Sequence, residues 1–149
     1  MDTGYTVQQV MRTKVLTAEP DMKIVIAAKL MAEKGVGSLV VLNKNKVAGI
    51  LTEQDLSRKV LARGVDPNTT QISKVMSNRV YTISPDKDIY DAMVEMGKRK
   101  IKHLPVVIKD KLVGIVSFKD IISIEPDLID LLSFKSSLTD KERRSVFFK

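Results

Sequence analysis

The chain repeats itself with a period of 65 residues. When the sequence is shifted by 65 positions against itself, a long run of identical or similar residues aligns without a gap. The matched pairs include Met11/Met76, Pro20/Pro85, Leu39/Leu104, Gly49/Gly114 and Asp55/Asp120. Self-similarity at a fixed period indicates one structural unit written twice. The fold must therefore accommodate two copies of the same small motif.

Each copy predicts a short strand followed by an amphipathic helix. Apolar residues recur with the spacing i, i+3, i+4, i+7, which is typical of one helix face. They are Ile24, Ala27, Ala28 and Met31 in the first copy and Ile89, Ala92, Met93 and Met96 in the second. Brief strands are predicted over 15–17 and 80–82, because Pro20 and Pro85 end the extended pattern shortly afterwards.

A hairpin and a second helix complete each copy. Strands are predicted over 38–42 and 46–51 in the first copy and over 103–108 and 111–116 in the second, joined by polar turns. The second helices begin near Glu53 and Phe118. The element order of each copy is therefore β-α-β-β-α, with the short apolar turns Val10-Met11 and Val75-Met76 ahead of it.

The fold class predicted from this order is α/β, of the α+β kind. One unit of three short strands and two helices leaves apolar surface uncovered, so we expect two copies packed sheet to sheet about a pseudo-two-fold axis. The predicted domains are repeat 1 over 5–63, a linker over 64–71 and repeat 2 over 72–125. An apolar stripe after Pro126 predicts a C-terminal helical extension over 126–149.

Composition narrows the function classes. The chain of 149 residues has no cysteine and one histidine, His103. Thiolate metal sites, disulfides and multi-histidine metal sites are therefore not expected, and neither is an enzyme, a bound metal or a required cofactor. The net charge of +7 favours anionic partners. The sequence shows no secretion signal and no apolar run long enough for a membrane span, so a cytoplasmic protein without membrane contact is expected.

The closing motif of each repeat has two chemical interpretations. Gly49-Ile-Leu-Thr-Glu-Gln-Asp55 returns as Gly114-Ile-Val-Ser-Phe-Lys-Asp120. A hydroxyl residue followed three positions later by an acidic one is a capping-box pattern, so the motif can simply begin a helix. Alternatively, the carboxylate binds a ligand beyond the strand end. An ionised carboxylate only accepts hydrogen bonds, so it suits the two donors of a ribose diol and repels phosphate.

The doubled unit resembles a tandem pair of cystathionine-β-synthase (CBS) domains, called a Bateman module. The resemblance covers about residues 5–125. It rests on the Val-Met turns, the Thr-x-x-Pro elements at Thr17–Pro20 and Thr82–Pro85, the strands that begin at Leu39 and Leu104, and the closing motif in ungapped register. Val40 departs from the pattern, since the second copy has Pro105 there. The resemblance implies two clefts between the repeats that bind adenosine-containing ligands, and modules that form homodimers.

The resemblance also implies roles for individual residues. Asp55 and Asp120 would accept from ribose hydroxyls, and Thr52 and Ser117 would contact ribose or phosphate. The base would be held by the segments that precede each first helix and by the turns that precede each second strand. In the segments before the first helices, the implied residues are Lys14, Val15, Thr17, Arg79, Val80 and Thr82. In the turns before the second strands, they are Val36, Gly37, Ser38, Ile101, Lys102 and His103.

The copies differ at one edge. Gly37-Ser38 in the first copy corresponds to Lys102-His103 in the second, so we expect the tighter phosphate contact at Lys102 and His103. The neighbouring Lys98 and Arg99 have another explanation, because cations stabilise the end of a helix. Arg58 could reach a phosphate from one turn beyond Asp55, although its position favours an exposed helical arginine.

These observations predict a stand-alone regulatory module without catalytic activity. Its ligand would be AMP, ADP or ATP, with NAD and S-adenosylmethionine as further candidates because they share the adenosine. Its partners would be that ligand, a second copy of the chain and a target protein. One alternative is a nucleic-acid-binding protein that uses the basic stretch 98–103. Another is a purely structural dimerisation module for a partner enzyme.

Overall fold

A computed structural model of the chain describes residues 2–124, so the predicted extension over 126–149 lies outside the described residues. The elements are α1 (Val7–Val10), β1 (Thr17–Ala18), α2 (Ile24–Lys34), β2 (Ser38–Asn43), β3 (Lys46–Thr52), α3 (Glu53–Asp55), α4 (Ile89–Arg99), β4 (His103–Ile108), β5 (Lys111–Ser117) and α5 (Phe118–Ile124). A π-helical stretch, Leu56–Leu61, continues α3, and a 3-10 turn forms at Ile72–Lys74. The predicted α+β class is confirmed.

The two long helices lie where the apolar stripes predicted them. Their inward residues are buried: Ile24, Ala27 and Met31 on α2, and Ile89, Ala92, Met93 and Met96 on α4. Both helices end in a left-handed residue, Gly35 with φ 62° and Lys100 with φ 57°. A left-handed residue stops a helix because its N–H turns back to bond the last carbonyls. Lys102 and His103 therefore lie beyond α4, as predicted.

The two hairpins are also confirmed. β2 pairs with β3 in antiparallel register, Val40 opposite Ile50, and β4 pairs with β5. Each connection is a two-residue turn with positive φ at both positions, Lys44-Asn45 and Lys109-Asp110. Turns of this mirror-image type match the twist of the strands that they join.

The prediction of brief strands over 15–17 and 80–82 is wrong in position. β1 covers only Thr17–Ala18, parallel to β2, and in the second repeat a single bridge joins Ile83 to Val106. Each paired stretch contains one buried residue, Ala18 in the first repeat and Ile83 in the second. The apolar valines upstream suggested a strand that the backbone forms about two residues later.

The chain divides into two compact units, each built from parts of both repeats. The Asp55 unit contains Lys14–Val80 and Lys109–Leu112. Within the described residues, the Asp120 unit contains 2–13, Tyr81–Ile108 and 113–124. The unit boundaries therefore cut across the repeat, because the start of each copy belongs to the unit formed mainly by the other.

We call Val7–Arg12 and Ile72–Ser77 the leading segments; they match at the 65-residue offset. In the Asp120 unit, Val7 and Val10 are buried in one core with residues of α4, β4 and β5. In the Asp55 unit, Ile72 and Val75 are buried in one core with residues of α2, β2 and β3. The leading segments are thus exchanged between the repeats.

Backbone bridges fix each leading segment against the last strand of the unit that receives it. Arg12 and Ile115 exchange two N–H to carbonyl bonds of 2.9 and 3.0 Å in the Asp120 unit. Ser77 and Ile50 exchange bonds of 2.9 and 3.1 Å in the Asp55 unit. The strand that carries the closing motif is therefore held on its free edge by the exchanged segment.

The repeated glycine of the closing motif makes room for the repeated methionine. A Cβ added to Gly49 would lie 2.5 Å from Met76 Sδ, and one added to Gly114 would lie 2.6 Å from Met11 Sδ. Both distances are far below ordinary carbon–sulfur contact. The repeated glycine and the repeated methionine therefore contact each other, Gly49 with Met76 in one unit and Gly114 with Met11 in the other.

Candidate functional site

The closing motif places a hydroxyl and a carboxylate at the junction between a strand and a helix. In the Asp55 unit, Thr52 Oγ1 accepts from the Asp55 N–H at 3.2 Å, and Asp55 Oδ2 accepts from the Thr52 N–H at 3.0 Å. In the Asp120 unit, Ser117 Oγ and Asp120 Oδ2 form the same pair of bonds, each 3.1 Å long. The capping-box interpretation is thus confirmed in both copies.

A cation occupies the second oxygen of each carboxylate. Lys59 Nζ lies 2.9 Å from Asp55 Oδ1, and Arg12 Nε lies 2.9 Å from Asp120 Oδ1. The two aspartate side chains are almost equally enclosed, with 11% and 10% of their surface exposed. Each carboxylate is therefore fixed by one backbone N–H and one cation.

Two acceptor positions remain on each carboxylate. An ionised carboxylate offers about four lone-pair positions, and the cap and the cation each take one. The remaining pair could accept both hydroxyls of a vicinal diol without breaking the cap. The geometry therefore permits ligand binding and helix capping by the same aspartate, so the two interpretations of the motif are compatible.

The turns predicted to line the site lie directly beside these junctions. The Gly37 carbonyl accepts from the Glu53 N–H at 3.1 Å, and Ser38 is the register partner of Thr52. In the Asp120 unit, the Lys102 carbonyl accepts from the Phe118 N–H at 2.9 Å. The structure therefore brings Gly37 and Ser38 to the Asp55 junction, and Lys102 and His103 to the Asp120 junction.

A family model for the CBS domain matches this chain twice, over residues 7–62 and 72–127. The chain belongs to the CBS domain family. The resemblance inferred from the closing motif and its repetition is confirmed, and the two matched regions correspond to the two repeats.

Known proteins resemble this CBS domain pair over most of its length. It is 37% identical to an uncharacterized protein of Methanopyrus kandleri, and the match covers 85% of this chain but only 65% of that protein. A CBS domain protein of Burkholderia ambifaria superposes with a TM-score of 0.77 at 32% identity, over 83% of this chain and 96% of that one. The CBS domain pair of protein MJ0100, solved with 5′-methylthioadenosine and S-adenosyl-L-methionine, superposes with a TM-score of 0.76 at 26% identity, over 83% and 98%.

The remaining predicted site residues divide between the two units. Lys14, Val15, Thr17, Val36, Arg58, Arg79 and Val80 belong to the Asp55 unit, and Thr82 and Ile101 belong to the Asp120 unit. Val36 and Ile101 are half-buried and pack against the cores of their units. Arg58 is exposed on the π-helical stretch after Asp55. The ligand contacts of these residues stay predictions.

Two residues at the carboxylates were missed by the sequence analysis, namely Arg12 and Lys59. The 65-residue offset hides them, because Arg12 corresponds to Ser77 and Lys59 corresponds to Ile124. Each junction thus has one cation, supplied by the leading segment in one unit and by the helix in the other. The signal that could have identified them is that each unit has a cation at one of these two positions and an uncharged residue at the other.

Burial lowers the pKa of His103 below its usual 6.5, an effect that the charge of Lys102 reinforces and that of Asp120 opposes. His103 begins β4 and is half-buried there, beside the Asp120 junction. Burial disfavours the charged imidazolium, since water no longer solvates it. His103 is therefore a neutral hydrogen-bonding group at neutral pH.

The shifted pKa predicts a pH-dependent stability. Because the folded pKa of His103 is lowered, the unfolded chain takes up the proton more readily as the pH falls below 6.5. The free energy of unfolding, measured by urea titration, should decrease between about pH 7.5 and about pH 5. His103→Gln should show a smaller decrease, and an equal decrease in both proteins would contradict the assignment.

None of the helices described between residues 2 and 124 combines the length and the hydrophobicity that crossing a bilayer requires.

Proposed function

We propose that this chain is a cytoplasmic, non-catalytic regulatory module that binds adenosine-containing ligands. CBS domain pairs are regulatory, ligand-binding modules. The observation that carries the proposal is the pair of aspartates, Asp55 and Asp120, each fixed at a strand-to-helix junction with acceptor positions left for a diol. AMP, ADP and ATP are the proposed ligands, with NAD and S-adenosylmethionine as further candidates.

The complexes of the MJ0100 pair support this choice. Methylthioadenosine and S-adenosylmethionine both carry a ribose diol and an adenine, and that protein binds both. In the present chain we propose that Asp55 and Asp120 accept from ribose hydroxyls. Lys102 and His103 would contact a phosphate, and the segments that begin at Lys14 and Arg79 would contact the base.

The binding energy required is modest. Micromolar affinity corresponds to about −8 kcal/mol. A hydrogen bond to a charged group contributes about 1.5–3 kcal/mol, so a diol bound by one carboxylate supplies a large share. Stacking of the base and contacts to phosphate would supply the remainder. The carboxylates should therefore dominate affinity for every adenosyl ligand.

Isothermal titration with AMP, ATP, NAD and S-adenosylmethionine tests the proposal. We expect at least one ligand to bind, and we expect Asp55→Ala and Asp120→Ala each to remove one set of sites. Asp91→Ala, an exposed aspartate in the first turn of α4, is the matched control and should bind as the wild type does. No heat from any of the four ligands would refute the proposal.

The basic stretch 98–103 supports a nucleic-acid-binding function less well. One of its cations is already engaged, since the Arg99 guanidinium lies 4.3 Å from the centre of the Tyr81 ring and Arg99 Nε lies 3.4 Å from Glu95 Oε2. Filter binding at two salt concentrations separates the two functions. Strong retention of nucleic acid that decreases steeply with salt would favour the alternative.

We also propose that the chain acts as a homodimer that regulates a target protein. Large apolar side chains on its surface support an association, among them Ile26 and Ile108 with 46% and 49% of their surface exposed. Light scattering should give twice the mass of one chain. A monomeric mass with and without ligand would exclude the homodimer.

A further inference from the structure

Arg12 is fixed beside Asp120 with most of its hydrogen-bonding capacity unused. A guanidinium has five N–H donors, and Arg12 uses one of them, Nε–H, on Asp120 Oδ1 at 2.9 Å. Within residues 2–124 its two terminal nitrogens donate no hydrogen bond. The side chain is 55% exposed. An unused planar fork therefore lies next to the proposed diol acceptor.

Hydrogen bonds hold the backbone of Arg12 in place, so the position from which its guanidinium extends is defined. Its N–H and carbonyl both bond to Ile115, and its carbonyl oxygen would lie 3.0 Å from a Cβ at Gly114. The segment thus lies against β5, the strand that leads into Ser117 and Asp120. Arg12 is anchored at both ends, by its backbone on β5 and by its Nε on the carboxylate.

In the other unit the cation that is paired with the carboxylate is a lysine. Lys59 Nζ is shared between Asp55 Oδ1 and the Val75 carbonyl at 3.1 Å, which occupies two of its three donors. Its side chain is less exposed, at 32%. Ser77 stands at the position that corresponds to Arg12. An ammonium held in this way cannot make the two parallel bonds that a guanidinium makes to phosphate.

The charges around Asp120 also favour an anion. Arg12 balances the charge of the carboxylate, and Lys102 on the neighbouring edge adds a positive charge, whereas the neutral His103 adds none. A ligand that carries a diol and a phosphate would donate hydrogen bonds from the diol to Asp120 and accept hydrogen bonds from Arg12 at the phosphate. A neutral nucleoside would satisfy only the carboxylate.

We infer that Arg12 is a specificity-determining residue that binds the phosphate of a ligand whose ribose is held by Asp120. The Asp120 site would then prefer anionic nucleotides over the uncharged nucleoside. The Asp55 site would lack this contact, because Ser77 stands at the position of Arg12. The inference rests on the proposed adenosyl binding and adds to it a further side chain that binds the phosphate at the Asp120 site.

The test compares AMP with adenosine by isothermal titration, because the two ligands differ only in the phosphate. The Asp55→Ala background isolates the Asp120 site. There, Arg12→Gln should weaken AMP binding about tenfold and change adenosine binding less than about twofold, the amounts expected for loss of one charged contact. Arg12→Lys should lie between the two, since it keeps the charge and loses the fork.

A reciprocal variant and two controls make the test decisive. Ser77→Arg places a guanidinium at the matching position of the Asp55 unit. In the Asp120→Ala background, this variant should raise the preference for AMP over adenosine. Arg12→Gln in the Asp120→Ala background should change the affinity for neither AMP nor adenosine. Thermal unfolding of Arg12→Gln should match the wild type closely, because an ion pair with so exposed a cation contributes little to stability.

The outcomes separate this inference from the proposed function. If wild-type protein binds both ligands and Arg12→Gln leaves their affinity ratio unchanged, the role of Arg12 is refuted and adenosyl binding stands. If Arg12→Gln weakens both ligands equally, Arg12 positions Asp120 and does not read phosphate, which also refutes the inference. If the wild type binds neither AMP nor adenosine, the role of Arg12 is refuted, and the proposed function falls only if ATP, NAD and S-adenosylmethionine also fail to bind.

Discussion

Ile72→Ala should destabilise the protein by about 3 kcal/mol, within the range measured for removing a buried isoleucine side chain. Ile72 is fully buried, although it belongs to the leading segment of the second repeat. Apart from Val75, which lies in the same leading segment, the other buried residues of this core all come from the first repeat. The cavity should therefore weaken the unit that sequence order assigns to the other copy.

Native-state hydrogen exchange can locate the effect. We expect Ile72→Ala to reduce protection in α2 more than in α4, because local opening free energies follow the packing of each element. Val7→Ala should show the opposite pattern, since Val7 packs in the core with α4. Leu61→Ala is a suitable control, because 82% of Leu61 is exposed and its removal should change stability little. Greater loss in α4 for Ile72→Ala would contradict the exchange.

Gly114→Ala should cost about 2–3 kcal/mol, the upper part of the range for overpacking a core. The added Cβ would lie 2.6 Å from Met11 Sδ and 3.0 Å from the carbonyl oxygen of Arg12. The methionine can change rotamer, but the carbonyl cannot move without breaking its bond from the Ile115 N–H. Urea unfolding of the variant and of the wild type measures the cost.

Gly49→Ala is the matched variant and should cost less, about 1 kcal/mol. All three atoms nearest to its added Cβ belong to the Met76 side chain, which is flexible. In a double-mutant cycle, Met76→Ala should therefore cost less in the Gly49→Ala background than in the wild type. A glycine that is merely tolerated inside a strand would give the opposite sign, since alanine would then stabilise by about 0.5–1 kcal/mol.

Much of the local structure follows from patterns that involve neighbouring residues. The stripes through Ile24 and Ile89 predicted α2 and α4, and short polar turns predicted both hairpins. These elements depend on periodicity and turn chemistry that lie within a few residues of each other. The first strands were misplaced because β1 is only two residues long, too short for alternation to locate it.

The exchange of leading segments could not be predicted, because the sequence is symmetric with respect to it. Met11 and Met76 are the same residue, and so are Gly49 and Gly114. Each glycine could accept either methionine, and no difference in side-chain chemistry selects one pairing. The choice depends on how the connections after Thr13 and Ser77 run in space, which residue types do not specify.

The candidate site was predicted in part. The cap formed by Thr52 and Asp55 follows from a three-residue spacing and is confirmed in both copies. The cations were missed because they arrive from different elements, Lys59 from the helix and Arg12 from the exchanged segment. Aligning the two copies does not reveal such a pair, because the alignment identifies identical residues and not two cations that lie at different positions.

The exchanged segments impose an order on folding during synthesis. Nearly all of the Asp55 unit is contiguous, so it can form soon after Val80 leaves the ribosome. The Asp120 unit joins Val7 and Val10 to Val116 and Ile121, which lie on the far side of the whole first repeat in the sequence. Such distant contacts form slowly and leave apolar surface uncovered meanwhile. The apolar side chains of Val7 and Val10 therefore gain their core only after the second repeat has been synthesised.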